Sequence, residues 1–205
     1  PAVGAFGAAV GMLRALQPGL PVGVRLRTTL GDGETPVEMD RAGFEQVLTN
    51  LITNAAQASP GGHVWVTTGR DRGTFEVRVE DDGSGILPEH LSRLFEPFFT
   101  TKPTGQGVGL GLSVSLGIVQ QHGGTLTGEN RPASEGGGAR FTMRLPVSAL
   151  PITTPSHGVP KTPRRRPSLT PVPGVPTLLV VDDEAPIRRA LRRYFERRGW
   201  VVDEA

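Results

Sequence analysis

The 205-residue sequence predicts an α/β fold: a two-layer sandwich in which a mixed sheet of roughly five strands carries helices on one face, followed by a linker and the opening of a second unit. Three observations predict it. Residues 41–58 set Phe44, Val47, Leu48, Leu51, Ile52 and Ala55 at helical spacing as one apolar stripe. Runs with an apolar period of two lie on both sides of that stripe. From Val147 to Thr177 all apolar period is lost among Pro, Ser, Thr and the Arg164–Arg166 triplet.

Taken in order, Phe6, Val10, Leu13 and Leu16 predict a helix over 5–17, ended by Pro18-Gly19. Residues 22–30 alternate as a strand, with Val22, Val24, Leu26 and Thr28 on one face. A short strand, Val37 to Met39, follows the turn at Gly31 to Gly33, and Asp40 stands as the N-cap of the 41–58 helix. Pro60-Gly61-Gly62 stops that helix. Val64 to Thr68 and Phe75 to Val79 then read as a hairpin turning at 71–73. The glycine-rich stretch 81–111 is too long for an ordinary connection and points to function or disorder. A helix over 111–121 and strands at 125–129 and 139–145 complete the first domain. Beyond the linker, Leu178 to Val181 is a continuous apolar run, a buried strand; a helix from about 185 to 198 and a strand starting at Trp200 come after it.

The domain boundaries are therefore expected at 1–146, 147–176 and 177–205. Charge divides the same way. Of 22 basic and 20 acidic residues, 10 and 6 lie from Lys161 onward, which leaves 12 against 14, a net of −2, before it. The basic excess sits in a linker run and on one short helix with almost no aromatic interleaving, so a nucleic-acid partner is not expected. No run nears the ~18 to 20 apolar residues of a membrane span, and no signal pattern opens the chain. A soluble, cytoplasmic fragment is expected, with any membrane anchor of the full-length protein lying upstream. With no cysteine and four scattered histidines, a metal site has to be built from oxygen ligands.

Four signals carry chemistry. Gln46, Asn50 and Asn54 recur every fourth residue on the polar side of the 41–58 helix, where an amide oxygen suits magnesium; in isolation a solvated polar face explains them better. Asp81-Asp82-Gly83-Ser84-Gly85-Ile86 follows a strand directly. Its glycines admit a flat ligand, and a carboxylate before them accepts from an exocyclic amine such as that of adenine; the plainer account is a β-turn. Phe95, Phe98 and Phe99 cluster in an aromatic-poor chain, as a lid anchor or as three core residues. Gly105, Gly107, Gly109 and Gly111 alternate up to a helix start, an arrangement suited to a di- or triphosphate. This stretch is neither a Walker loop nor a dinucleotide fingerprint.

Taken together, NLITNAAQA (50–58), DDGSGI (81–86), LFEPFFTTK (94–102) and GVGLGLSV (107–114) resemble the asparagine, first glycine, phenylalanine and second glycine boxes of sensor histidine kinases. These kinases share the Bergerat ATP-binding fold with gyrase, Hsp90 and MutL. The match spans about residues 20 to 146. The resemblance implies ATP and Mg2+ as cofactors, with Asn54 as magnesium ligand and Asn50 and Gln57 beside it. It implies that Asp81 takes the adenine amine, helped by Gly83, Gly85 and Ile86. Gly107, Val108, Gly109, Leu110, Gly111 and Leu112 would close on the phosphates, and Thr101 and Lys102 would lie in a lid over 96–106, with Lys102 meeting the γ-phosphate. Catalysis would rest on Asn50, Asn54 and Lys102.

The hydrolysing relatives carry a glutamate as general base where this chain has Asn50, and an amide cannot take a proton from water. Transfer to a protein side chain is therefore expected over hydrolysis. Two positions depart from the family pattern: Gln57, where many relatives have lysine, and Ala139 in Gly138-Ala139-Arg140-Phe141, where threonine is common. None of the four histidines fits the acceptor, which the resemblance places on an upstream helical dimerisation domain, implying a homodimeric full-length protein.

TLLVVDDEAPIRRAL (177–191) resembles the opening of a flavodoxin-like response-regulator receiver, with Asp182 and Asp183 as part of its magnesium site and its phosphorylated aspartate further on. With so few elements to bury its faces, this unit is expected to be marginally ordered from Leu178 onward. The expected function is that of an ATP-dependent protein-histidine kinase of hybrid type. The alternatives are a related ATPase, an anti-sigma-type serine kinase, or a nucleotide-sensing module without catalysis.

Overall fold

A computed structural model describes residues 3–4, 20–31, 36–37, 39–71, 73–103, 107–147, 176–181 and 185–204. The expected helix over 5–17, the linker over 148–175 and the Asp182-Asp183-Glu184 triplet lie outside the described residues.

The first domain is built on a five-stranded sheet. Its strands are β2 (Arg25–Leu30), β4 (His63–Asp71), β5 (Thr74–Asp81), β6 (Thr125–Asn130) and β7 (Ala139–Pro146), in the order β2-β4-β5-β7-β6. Only β2 and β4 run parallel, Arg25 opposite His63, so the sheet is mixed as expected. A two-stranded ladder pairs β1 (Val3–Gly4) with β3 (Pro36–Val37). The first strand is shorter than 22–30, and Val22 lies fully exposed ahead of it.

Two helices cover one face. α1 (Arg41–Ala58) starts where expected because the Asp40 carboxylate accepts the Gly43 N–H at 2.8 Å. Its stripe from Phe44 to Ala56 is buried. α3 (Gly111–Gln121) lies beside it and buries Val114, Ile118 and Val119. Between them in the chain comes only the short α2 (Pro88–Leu91). On the sheet, Val64 and Val66 of β4, Phe75, Val77 and Val79 of β5, and Phe141, Met143 and Leu145 of β7 point to these helices and form the core. The opposite face is polar. There Arg140 joins Glu80, Glu129 and Glu135, while Glu76 lies between Arg78 and Arg144.

The period of two that builds this core has a further consequence. Asp81 ends β5 in phase with Phe75, Val77 and Val79, so its carboxylate faces the helical layer and not solvent.

The C-terminal unit forms β8 (Thr177–Val180), α4 (Ala185–Glu196) and β9 (Val201–Glu204), with β8 and β9 parallel. The expectation that its apolar faces go uncovered is only partly met. Val180, Ala190 and Val202 are buried, and α4 finds cover against α3, whereas Leu179, Val181 and Val201 stay exposed on the small sheet.

Candidate functional site

The site lies between α1, α3 and the end of β5. Asp81 is 1% exposed. Its Oδ1 accepts from the Gly83 N–H at 2.9 Å and the Ala139 N–H at 3.2 Å, and every described hydrogen bond to the carboxylate goes to that oxygen. Burial pushes the Asp81 carboxyl above its ordinary range, against the two backbone donors that lower it. A buried carboxylate with one oxygen tied down leaves Oδ2 to take a ligand's N–H.

Its neighbour plays a different part. Asp82 accepts the His63 backbone N–H at 2.8 Å and pairs with His63 Nδ1 at 3.0 Å, which holds the start of β4. Partial burial raises the Asp82 carboxyl, but the His63 contacts outweigh it and leave it below the usual range.

Glycines open the space around Asp81. A Cβ on Gly83 would stand 2.3 Å from the Ala58 carbonyl, so α1 passes within backbone contact of the first glycine box. Gly85 has φ +73°, and a Cβ there would meet Asn130. The Asn130 side chain pairs with the Ile86 backbone in both directions, accepting its N–H at 2.6 Å and donating to its carbonyl at 2.7 Å. Arg131 Nη1 donates to the carbonyls of Asp81 and Gly137, and its guanidinium lies over Trp65, 4.8 Å from the ring centre. Asn130 and Arg131 thus position the first glycine box, and no motif in the sequence singles them out.

The amide face of α1 supplies the other wall. Asn50 Nδ2 donates to Ser115 Oγ at 2.9 Å, joining α1 to α3. A Cβ on Gly111 would fall 2.3 Å from Asn50 Oδ1, so glycine is what lets the start of α3 approach this amide. Lys102 Nζ donates to Asn54 Oδ1 at 3.0 Å and to Gln57 Oε1. Desolvation lowers the Lys102 pKa. Lys102 is thus held at the site wall, its ammonium on the amide oxygens of α1.

α3 begins after Leu110 with no side chain capping its first turn, and Ser113 Oγ turns back to the Leu110 carbonyl at 2.8 Å. Its first amides therefore stay available to an anion. Before it, Gly109 takes φ +73° and its carbonyl accepts the Phe98 N–H at 2.9 Å. Gly107 lies against the Lys102 side chain, Leu110 and Leu112 are half-buried, and Thr101 and Val108 are exposed. The three phenylalanines part ways, Phe95 being half-buried against the core. Phe98 is 43% exposed, while Phe99 packs on His90 and under Arg93.

The residues suit a magnesium nucleotide. An amide oxygen that already takes an ammonium has the polarity a divalent cation needs, and the uncapped helix start has the polarity a phosphate needs. Ala139 contributes its backbone N–H to Asp81 where a threonine would add a hydroxyl. Among the described residues no helix is long and apolar enough to cross a membrane.

Comparison with known proteins agrees with this geometry. Residues 39–149 match the family described as "Histidine kinase-, DNA gyrase B-, and HSP90-like ATPase". The sensor kinase CckA of Brucella abortus (strain 2308) is 34% identical over 198 residues, covering 89% of this chain and 21% of CckA. This chain thus spans about a fifth of that relative's length. Among solved structures, the mycobacterial sensor histidine kinase MprB superposes with a TM-score of 0.61 at 30% identity, over 72% of this chain and 97% of that one. The catalytic domain of the histidine kinase ThkA, in a nucleotide-free form, superposes with a TM-score of 0.59 at 27% identity, over 72% and 95%. ThkA has also been solved in complex with the response regulator protein TrrA. The chain therefore belongs to the histidine kinase-, DNA gyrase B- and HSP90-like ATPase family and carries the fold of sensor histidine kinase catalytic domains.

Proposed function

We propose that residues 1–146 are the ATP-binding catalytic domain of a hybrid sensor histidine kinase, joined by the 147–176 linker to a receiver that opens at 177. The buried Asp81 carboxylate, held by Gly83 and Ala139 and facing the helical layer, is the observation that supports this most directly. Asp81 accepts the adenine amine, and Gly83, Gly85 and Ile86 border the base. The amides from Gly107 to Leu112 and the start of α3 take the phosphates, with Thr101 and Val108 in the flanking loop.

Asn54 holds Mg2+, Asn50 and Gln57 complete the polar wall, and Lys102 exchanges its amide partners for the γ-phosphate. Magnesium, when bound, neutralises charge on the phosphate oxygens. A histidine nitrogen of the upstream dimerisation domain attacks the γ-phosphorus. The N–P bond forms, the bond to the β,γ-bridging oxygen breaks, and ADP leaves. Asn50 has no basicity with which to take a proton from water, so transfer wins over hydrolysis. The phosphoryl group then passes to a receiver aspartate, Asp182 and Asp183 being the receiver's acidic pair. The exposed Leu179, Val181 and Val201 fit a small sheet that continues into further strands.

The test mixes this chain with a separately produced histidine-bearing dimerisation domain and γ-labelled ATP. Acid-labile label on that domain is the expected result, with little phosphate released when no acceptor is present. Steady acceptor-independent release would point to an ATPase, acid-stable label on serine to a serine kinase, and nucleotide binding without any transfer to a sensing module.

A further inference from the structure

The C-terminal unit is seated on the first domain. Ala190 of α4 is 8% exposed and belongs to the apolar cluster that contains Val114 and Ile118 of α3, with Ile187 packed against it. Arg193 Nη1 donates to Gln120 Oε1 at 3.1 Å across the contact. The Tyr194 ring stands edge-on to Phe98 with centres 5.5 Å apart. A cavity of about 380 Å³ runs along this seam, between Phe95, Leu116 and Gly117 on one side and Arg189 and Tyr194 on the other.

Phe98 is a telling place for that contact. Among the described residues it is the one non-glycine with positive φ, at 67°. For a bulky residue this conformation is strained and persists only where its surroundings hold it. What holds it is a backbone pairing: the Phe98 N–H bonds the Gly109 carbonyl, and the two backbones meet so closely that a Cβ on Gly109 would lie 2.5 Å from the Phe98 carbonyl carbon. Lys102, shortly after Phe98 in the chain, reaches Asn54 of α1. One ring of α4 therefore rests on the residue that makes this pairing.

We propose that α4, docked on α3 and Phe98, is an intramolecular regulatory contact by which the C-terminal unit steadies the Phe98–Gly109 backbone pairing and, through it, the seat of Lys102 on α1. The occupant of this surface is the chain's own helix. Its Ala190 and Ile187 join the apolar cluster that holds Val114 and Ile118 of α3, and Arg193 meets Gln120 at the rim.

Two measurements on the full chain, both without nucleotide, test this separately from the kinase reading. The sequence has no cysteine, so a Gln120→Cys/Arg193→Cys variant can be joined by a short bismaleimide. An intramolecular cross-link that survives dilution is expected; its absence, or formation only between molecules, overturns the docking. Hydrogen exchange of Tyr194→Ala and Ala190→Glu then reads the Phe98–Gly109 pairing. Amides at 98–103 and 107–110 should exchange roughly fivefold faster, while Trp200 fluorescence, read in a Trp65→Phe background, reports that the C-terminal unit stays folded. Unchanged exchange in both variants, with the unit folded, overturns the regulatory role. Should Tyr194→Ala unfold the unit, Ala190→Glu and Arg193→Ala decide from the remaining α4 side of the contact: unchanged exchange in both again overturns it, and faster exchange in either supports it.

Discussion

Two adjacent carboxylates do different work although the sequence presents them as a pair. Replacing Asp81 with Asn keeps an oxygen for Gly83 and Ala139 but turns an N–H toward the ligand amine. Nucleotide affinity should fall roughly tenfold to a hundredfold, as for a lost bond to a charged acceptor. The melting temperature should hold or rise, because the desolvation that raises the Asp81 carboxyl disappears with the charge. Calorimetric titration with ATP and a thermal melt read the two effects. Acid pH should separate the neighbours as well. A raised folded pKa means that the Asp81 charge costs stability, and this cost is relieved as pH falls through the raised value. A lowered one means that Asp82 contributes stability above its ordinary pKa and loses it as pH falls through the depressed value. On acidification, affinity should therefore weaken before stability does, and Asp82→Asn should flatten the acid limb of stability alone. For Lys102→Met, exchange of the 99–103 amides should rise and ATP affinity should fall severalfold. A solvated lysine would change neither.

At the level of elements, glycine at the head of α3 is a spatial requirement and not a helical preference. Gly111→Ala should favour the helix, yet its Cβ would sit 2.3 Å from Asn50 Oδ1 and push that amide off Ser115. Stability unchanged or improved, with nucleotide affinity reduced at least about tenfold, is the expected pairing. Loss of both together would mean that the glycine serves the fold only. The other end of the helical layer is fixed by Asp40, which caps α1 and lies 3.3 Å from His122 Nε2 at the end of α3. Asp40→Ala should cost about 1–2 kcal/mol in urea unfolding, mostly from the lost cap, since the half-exposed contact with His122 adds little.

For the whole molecule, the two tryptophans fall in different units: Trp65 on β4 and Trp200 ahead of β9. Single-tryptophan variants, Trp200→Phe and Trp65→Phe, can follow each unit in turn. Saturating nucleotide at a hundred times its dissociation constant should stabilise the unit reported by Trp65 by about 2.7 kcal/mol. The Trp200 transition should shift less, by whatever part of that energy crosses the α3–α4 seam. The division between sequence and structure follows the same scales. Helix bounds at 41–58 and 111–121 and the hairpin were legible because apolar period and capping are local. The four boxes were legible because their glycines and amides occur in a fixed order. Asn130, Arg131 and Ser115 were not, since each serves the site through a partner at least 44 residues away in the chain. Lys102 was legible only as a candidate, because its reach to Asn54 depends on how the loop folds back. By itself the sequence determined the mixed sheet, the helical layer and the nucleotide-type chemistry, all consequences of periodicity and residue type. Only the tertiary structure decided which aspartate faces the site, which backbone amides hold it, and that α4 rests on Phe98, because those depend on the sheet register and on helix packing between distant segments.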